Sequence, residues 1–252
     1  MEISLPAAPI VAVVLASVRI VAWLMVAPPF SSRAVPVTVK VLLALGLSLV
    51  VAPRMTGIQV PRDVPELLGS ALQEALIGAT LGFVTYLVLA AVQTAGDLID
   101  VFGGFQLASA FDPLSQNMNA IHGKLFSMLG VMLLFATNAY LLVIGGVLRT
   151  FERAPVGTAW QPSSAAEVVT TAFGLMFTAA VQVALPVIGV LCLADLGLAL
   201  LTKVAPQLNA IGIMFPAKIG LTLIVVGLSF AVLPETTTRL VDHLSDAFSA
   251  LV

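Results

Sequence analysis

Charge is scarce in this 252-residue sequence: Asp, Glu, Lys and Arg make up 10% of it, against about 25% in an ordinary soluble domain. The formal net charge is −2, so no basic surface is available to nucleic acid. The one cysteine, Cys192, lies in an apolar run, which excludes an intrachain disulfide and leaves the redox compartment open. The two histidines, His122 and His243, have no Cys or His beside them at metal-ligand spacing. A Gly-xxxx-Gly-Lys-Ser/Thr phosphate loop and a Gly-x-Ser-x-Gly elbow are both missing. Nothing in the sequence points to an enzyme, a metal or a cofactor. Fixed-period repeats and low-complexity tracts are absent too. The N-terminus has neither a basic region nor a small-residue cleavage site around its first apolar run, so that run is read as retained.

Apolar residues are abundant instead. They make up 60% of the chain, and mean hydropathy is +1.10. The class that follows is an all-α integral membrane protein. Six apolar segments are visible: Ala8 to Pro28, Val37 to Ala52, Leu67 to Val92, Leu125 to Leu148, Val168 to Leu201 and Ile211 to Leu233. The tail, Pro234 to Val252, is amphipathic, with Leu240, Leu244, Phe248 and Leu251 at helical spacing. A bilayer core of ~30 Å needs about 20 helical residues. The second segment is short for that. The fifth would run roughly 50 Å, so Pro186 is expected to kink or divide it. Arg19, Lys40, Glu74 and Asp195 intrude into apolar runs. Each would cost ~2.5–3.5 kcal/mol facing lipid at a helix centre, so each is expected to meet a partner between packed helices. Basic residues favour neither set of loops, and no orientation follows. Gly78 and Gly82 form a Gly-xxx-Gly pair suited to close helix approach, and Gly145-Gly146 adds a second small site.

The stretch from Gly96 to Lys124 is too polar for lipid and too rich in Phe, Leu, Ile and Met for an ordinary solvated loop. It reads as a re-entrant, interfacial or functional connector. Gly103 and Gly104 permit a bend, and Asp112-Pro113 favours a turn. Asp97, Asp100 and Asp112 could ligate a cation, but capping or ending helices is the expected role. Between the fifth and sixth segments, Pro206 and Pro216 bracket a helix-compatible stretch. Gln207 and Asn209 suit a tight reversal, and Lys203 and Lys218 put two cations at one end of the hairpin.

Several motifs recur in one order: Arg19, then Arg33-Ala-Val-Pro-Val-Thr-Val-Lys40, then Gln73-Glu74-Ala-Leu-Ile-Gly78-Ala-Thr-Leu-Gly82-Phe83. Next come Gly104-Phe-Gln106-Leu-Ala-Ser-Ala-Phe-Asp112-Pro113, Phe151…Pro155-Val-Gly157, Pro206-Gln207-Leu-Asn209 and Pro216-Ala-Lys218-Ile219. In that order and spacing the chain resembles the FliR/SctT family, the R-type subunits of type III protein-export gates. The resemblance covers nearly the whole chain. The Gly-x-Gln-x-Ala-x-x-x-Asp-Pro pattern and Pro155-Val-Gly157 place it nearer the flagellar branch than the injectisome branch. Asn138-Ala139-Tyr140 departs from the Gly-His common there.

The resemblance implies an inner-membrane gate subunit of the flagellar basal body. It would assemble with FliP and FliQ, with FlhB around the cytoplasmic side and FlhA nearby. The gate passes unfolded rod, hook and filament proteins. The family's helices form kinked hairpins, with residues 1–160 FliP-like and 161–252 a FliQ-like hairpin and tail. The central stretch, 96–124, would contribute to a plug. Phe102, Phe105, Phe111, Leu114 and Met118 would supply its apolar seal, beside Gln106, Asp112 and Pro113, with Gly103 and Gly104 as hinge. An apolar constriction blocks ions by dewetting. Lys203, Pro206, Gln207, Asn209, Pro216 and Lys218 would shape an assembly hairpin, and Arg19, Lys40, Glu74 and Asp195 would act in assembly through buried pairs. A small-solute transporter or ion channel with a re-entrant loop is the alternative, and an intramembrane scaffold without a conduit is a third.

Overall fold

The structure is a computed structural model that describes residues 7–55, 63–105, 121–157, 162–204, 210–231 and 233–251. Every regular element among the described residues is helical. In chain order these are α1 (Ala7–Val26), α2 (Val37–Val51) with a short 3-10 turn Ala52–Arg54, α3 (Val64–Gly103), α4 (Ile121–Ala136), α5 (Ala139–Arg153), α6 (Pro162–Val204), α7 (Ala210–Ser229) and α8 (Leu233–Leu251). Three of them, α1, α3 and α6, are long and apolar enough to cross a membrane, and up to five spans result if broken pairs are counted together. The protein is thus all-α and built for a bilayer.

Two compact units are present, each discontinuous in sequence. One comprises Met1–Val88, Asn138–Phe173 and Val241–Val252; the other comprises Leu89–Thr137 and Gly174–Leu240. In the first, α1 packs one stripe, Leu15, Ala16, Arg19, Ile20, Trp23 and Leu24, out of solvent. The expected close approach at Gly78 and Gly82 is present. A Cβ on Gly78 would overlap the Arg19 carbonyl oxygen, and one on Gly82 would sit 2.8 Å from the Val26 Cβ. Gly146 meets the Phe248 ring in the same way, whereas Gly145 faces open space. The amphipathic tail reading holds: Leu240, Val241, Leu244 and Phe248 of α8 are buried. In the second unit, α6 buries Ala180, Ala184, Val187 and Leu191, a one-sided stripe at helical spacing, and Phe126 meets Phe230 at 6.2 Å between ring centroids.

The helix boundaries correct several expectations. The third segment does not stop at Val92; α3 continues to Gly103, 40 residues in all. Residues 96–103 and 121–124 are therefore helical, not loop. Asp97 and Asp100 lower apolarity without breaking the helix, because Asp100 points into protein and finds donors there. The fourth segment is broken at Asn138, whose φ of 57° is left-handed. Asn tolerates that region better than other side chains do, so an interruption forms without Gly or Pro. Pro186 sits inside α6, which runs 43 residues undivided. Pro216 and Lys218 lie within α7, not in a turn.

Candidate functional site

Two buried polar knots and one half-exposed pair organise the charged residues. The first knot joins α1, α3 and the end of α5. Arg19 is fully buried and Glu74 is 1% exposed. The Arg19 Nε–H donates to Glu74 Oε2 at 2.5 Å, and Nη1 and Nη2 each donate to the Ala154 carbonyl at 3.1 Å. A longer contact of 3.4 Å reaches Thr150 Oγ1. The guanidinium lies 4.2 Å from the Phe151 ring centroid, a cation–π geometry. The second Glu74 oxygen accepts the Gly157 N–H at 3.2 Å. Gly157 has a φ of +84°, which suits glycine. One helix turn beyond Arg19, the Trp23 Nε1–H donates to Thr85 Oγ1 at 3.1 Å. Arg19 and Glu74 thus each have the buried partner expected of an intruding charge, and they supply it to each other within one chain.

The second knot ties α3 to the start of α4. Asp100 Oδ2 accepts the N–H groups of His122 at 2.9 Å and Gly123 at 3.2 Å. These are donors that a helix leaves orphaned at its N-terminus. Asp100 Oδ1 lies 2.6 Å from His122 Nδ1. Phe105 meets the His122 ring edge-on at 4.8 Å. Gly96 makes the approach possible, since a Cβ there would overlap the His122 carbonyl. The capping role expected of Asp100 is therefore real, but the helix capped is the next one in the chain. His122 had no local pattern in the sequence to mark it; an Asp and a His 22 residues apart at two ends of one stretch are the available signal.

Both members of this knot, Asp100 and His122, lie within the central stretch 96–124. Phe102 is 38% exposed on α3. Gly103 ends that helix, where a Cβ would sit 3.1 Å from the Thr222 side chain of α7, and Gly104 takes a φ of +81°. Gln106, Phe111, Asp112, Pro113, Leu114 and Met118 lie outside the described residues, as do Pro206, Gln207 and Asn209.

The half-exposed pair joins α6 to α7. Lys218 Nζ lies 2.8 Å from the Asp195 carboxylate. Asp195 was expected to be buried, yet its side chain is 43% exposed and that of Lys218 is 21% exposed. A shallow apolar groove lined by Ala194, Gly197, Leu198, Ala217 and Leu221 runs beside it. Lys203 is exposed in the last turn of α6, where a cation complements the helix dipole. Lys40, by contrast, is 5% exposed, and its side chain has no hydrogen-bond or ion-pair partner among the described residues.

A family model described as "Bacterial export proteins, family 1" matches residues 10–244. The flagellar biosynthetic protein FliR of Escherichia coli K12 is 35% identical over 235 residues, 92% of this chain and 88% of that protein. The FliR of Bacillus subtilis 168 is 29% identical over 84% of this chain and 83% of its own. The secretion system apparatus protein SsaT of Salmonella typhimurium is 26% identical over 65% of this chain and 63% of its own length.

Proposed function

The chain belongs to the bacterial export proteins of family 1, and we propose that it is the R-type subunit of a flagellar protein-export gate in the inner membrane. The observation that carries this reading is the match to flagellar relatives over about nine-tenths of the chain. The apolar exterior of α6, where Phe173, Phe177, Leu193, Leu196 and Leu200 are exposed, fits a chain covered by lipid or by other subunits.

FliP and FliQ are the direct partners in this reading, with FlhB and FlhA against the cytoplasmic side. Residues 1–160 act as a FliP-like part, and residues 161–252 as a FliQ-like hairpin and tail. The central stretch supplies an apolar seal that unfolded flagellar subunits displace on their way out. Apolar side chains suit that task because they exclude water yet form no directional bonds that resist opening. The Asp100 knot supports the assignment by tying the early and late parts of that stretch, Asp100 and His122-Gly123, to one carboxylate.

The test is coexpression with FliP and FliQ, scored as one detergent-stable complex. Deleting Gln106 to Met118 raises passive uptake of small solutes in cells that still assemble the complex, with secretion partly retained. An assembled deletion complex as tight as wild type would move the seal to other subunits.

A further inference from the structure

Asp100 is fully buried and His122 is 1% exposed, and the two stand 22 residues apart in sequence. One carboxylate therefore holds the chain at both points. Its Oδ2 accepts the His122 and Gly123 N–H groups, and its Oδ1 faces the imidazole. Phe105 closes the same cluster. Gly104, at a φ of +81°, turns the backbone beyond α3, and the Phe105 ring meets His122 edge-on, with 78° between the planes. A Cβ on Gly103 would sit 3.1 Å from that ring and 3.1 Å from the Thr222 side chain of α7, so glycine alone leaves room for both. Thr222 is itself fully buried.

An apolar seal excludes water but forms no directional bonds. It cannot fix its own position, so directional contacts must come from elsewhere. The resemblance placed Phe105 in the seal. In the structure its ring is engaged with His122 and packed over Gly103, whereas a side chain of the seal must be free to move aside. We propose that Asp100, His122 and Phe105 are positioning residues: they form a mount that holds the central stretch in register, and Phe105 belongs to that mount, not to the apolar seal. The inference rests on the export-gate reading and deepens it. The two roles of Phe105 separate because a seal depends on apolarity and a mount on shape. Leu at position 105 keeps the first and loses the ring edge that meets His122. Asn at position 100 keeps an acceptor oxygen for the two N–H groups, and its amide can donate to an imidazole nitrogen; Ala keeps neither.

Full-length chains carrying Asp100→Ala, Asp100→Asn, Phe105→Leu or the pair Asp100→Ala/Phe105→Leu are coexpressed with FliP and FliQ. Passive uptake of a small solute by the cells is measured per assembled complex, beside complex yield. Asp100→Ala is expected to raise uptake about tenfold, the shift in a two-state balance that loss of a buried acceptor implies. Asp100→Asn stays tight. Phe105→Leu leaks as Asp100→Ala does, and the pair leaks no more than either alone, because a mount already lost cannot be lost twice. A Phe105→Leu complex as tight as wild type returns Phe105 to the seal and overturns the proposal. So do equal leaks from Asp100→Asn and Asp100→Ala, or leaks that multiply in the pair. Where Asp100→Ala yields no complex, Phe105→Leu decides alone, since it removes no hydrogen bond. Deletion of Gln106 to Met118 is the control. A tight deletion complex overturns the sealing reading and this inference with it; a leaking deletion beside tight Phe105→Leu and Asp100→Ala overturns this inference alone.

Discussion

Replacing Glu74 by Ala strips the carboxylate from a guanidinium that has no access to water. Breaking a buried pair by removing one partner costs ~3–5 kcal/mol, because the remaining charge is uncompensated. Arg19 keeps two hydrogen bonds to the Ala154 carbonyl and its place over Phe151. A cation–π contact with a desolvated ring contributes up to about 2 kcal/mol. These survivors hold the expected loss near the lower bound, ~3 kcal/mol, or about a 100-fold fall in the folded-to-unfolded ratio. The orphaned Gly157 N–H adds little, since Gly157 is exposed and water can replace the lost oxygen. The double variant Arg19→Met/Glu74→Met removes both charges and fills the site with apolar volume. It should recover most of the loss, as buried pairs exchanged for packed apolar residues commonly do. Reversible denaturant unfolding in detergent micelles reads wild type, Glu74→Ala, the double variant and its component single variants Arg19→Met and Glu74→Met. A Glu74→Ala chain within about 1 kcal/mol of wild type, or a double variant as unstable as the two single losses summed, would refute a water-free, charge-dependent knot.

The other outcomes follow from neighbouring geometry. Gly78→Ala should lower the unfolding midpoint clearly, since the new methyl overlaps the Arg19 carbonyl; Gly145→Ala meets open space and should be neutral or gain up to about 1 kcal/mol from helix propensity. Asp100→Ala leaves the His122 and Gly123 N–H groups unsatisfied, a loss of ~1–3 kcal/mol. Hydrogen exchange should show faster turnover at those two amides, and unchanged protection there would remove Asp100 as their acceptor. Lys218→Glu sets like charges side by side on a partly exposed surface. The separate chain should lose no more than about 1 kcal/mol, while FliQ or FlhB association and swimming fail. Normal motility would mean that the Lys218–Asp195 pair has no role in assembly.

Composition carried the membrane class, and period carried the short elements. The bounds of α1 and α2 and the buried stripe of α8 were legible because apolar spacing is a local property. The Gly-xxx-Gly contact was legible for the same reason: small side chains at that spacing have one geometric use. Long-range pairing was not. Arg19 announced that it needed a partner, but nothing local selected Glu74, 55 residues away, over a helix of another subunit. Asp100 lowered the apolarity of its segment, and so the end of α3 was read as loop. Its donors become visible only once His122 is brought alongside through Gly96. The break at Asn138 escaped notice because it uses a left-handed Asn where the strongest breakers, Pro and Gly, are absent. Pro186 misled in the opposite direction as far as division goes, since α6 runs on through it as one helix.

Biosynthesis meets the Arg19 knot in an unfavourable order. The arginine leaves the ribosome within the first helix, while Glu74 follows 55 residues later and the Ala154 carbonyl 135 residues later. At about 5–20 residues per second, the carboxylate trails by roughly 3–11 s and the carbonyl by roughly 7–27 s. During that interval α1 carries a cation whose transfer into lipid is opposed by ~2.5–3.5 kcal/mol. That cost is relieved only in stages, as the third helix and then the end of α5 are made, so the knot is completed late in synthesis although its first member is made early.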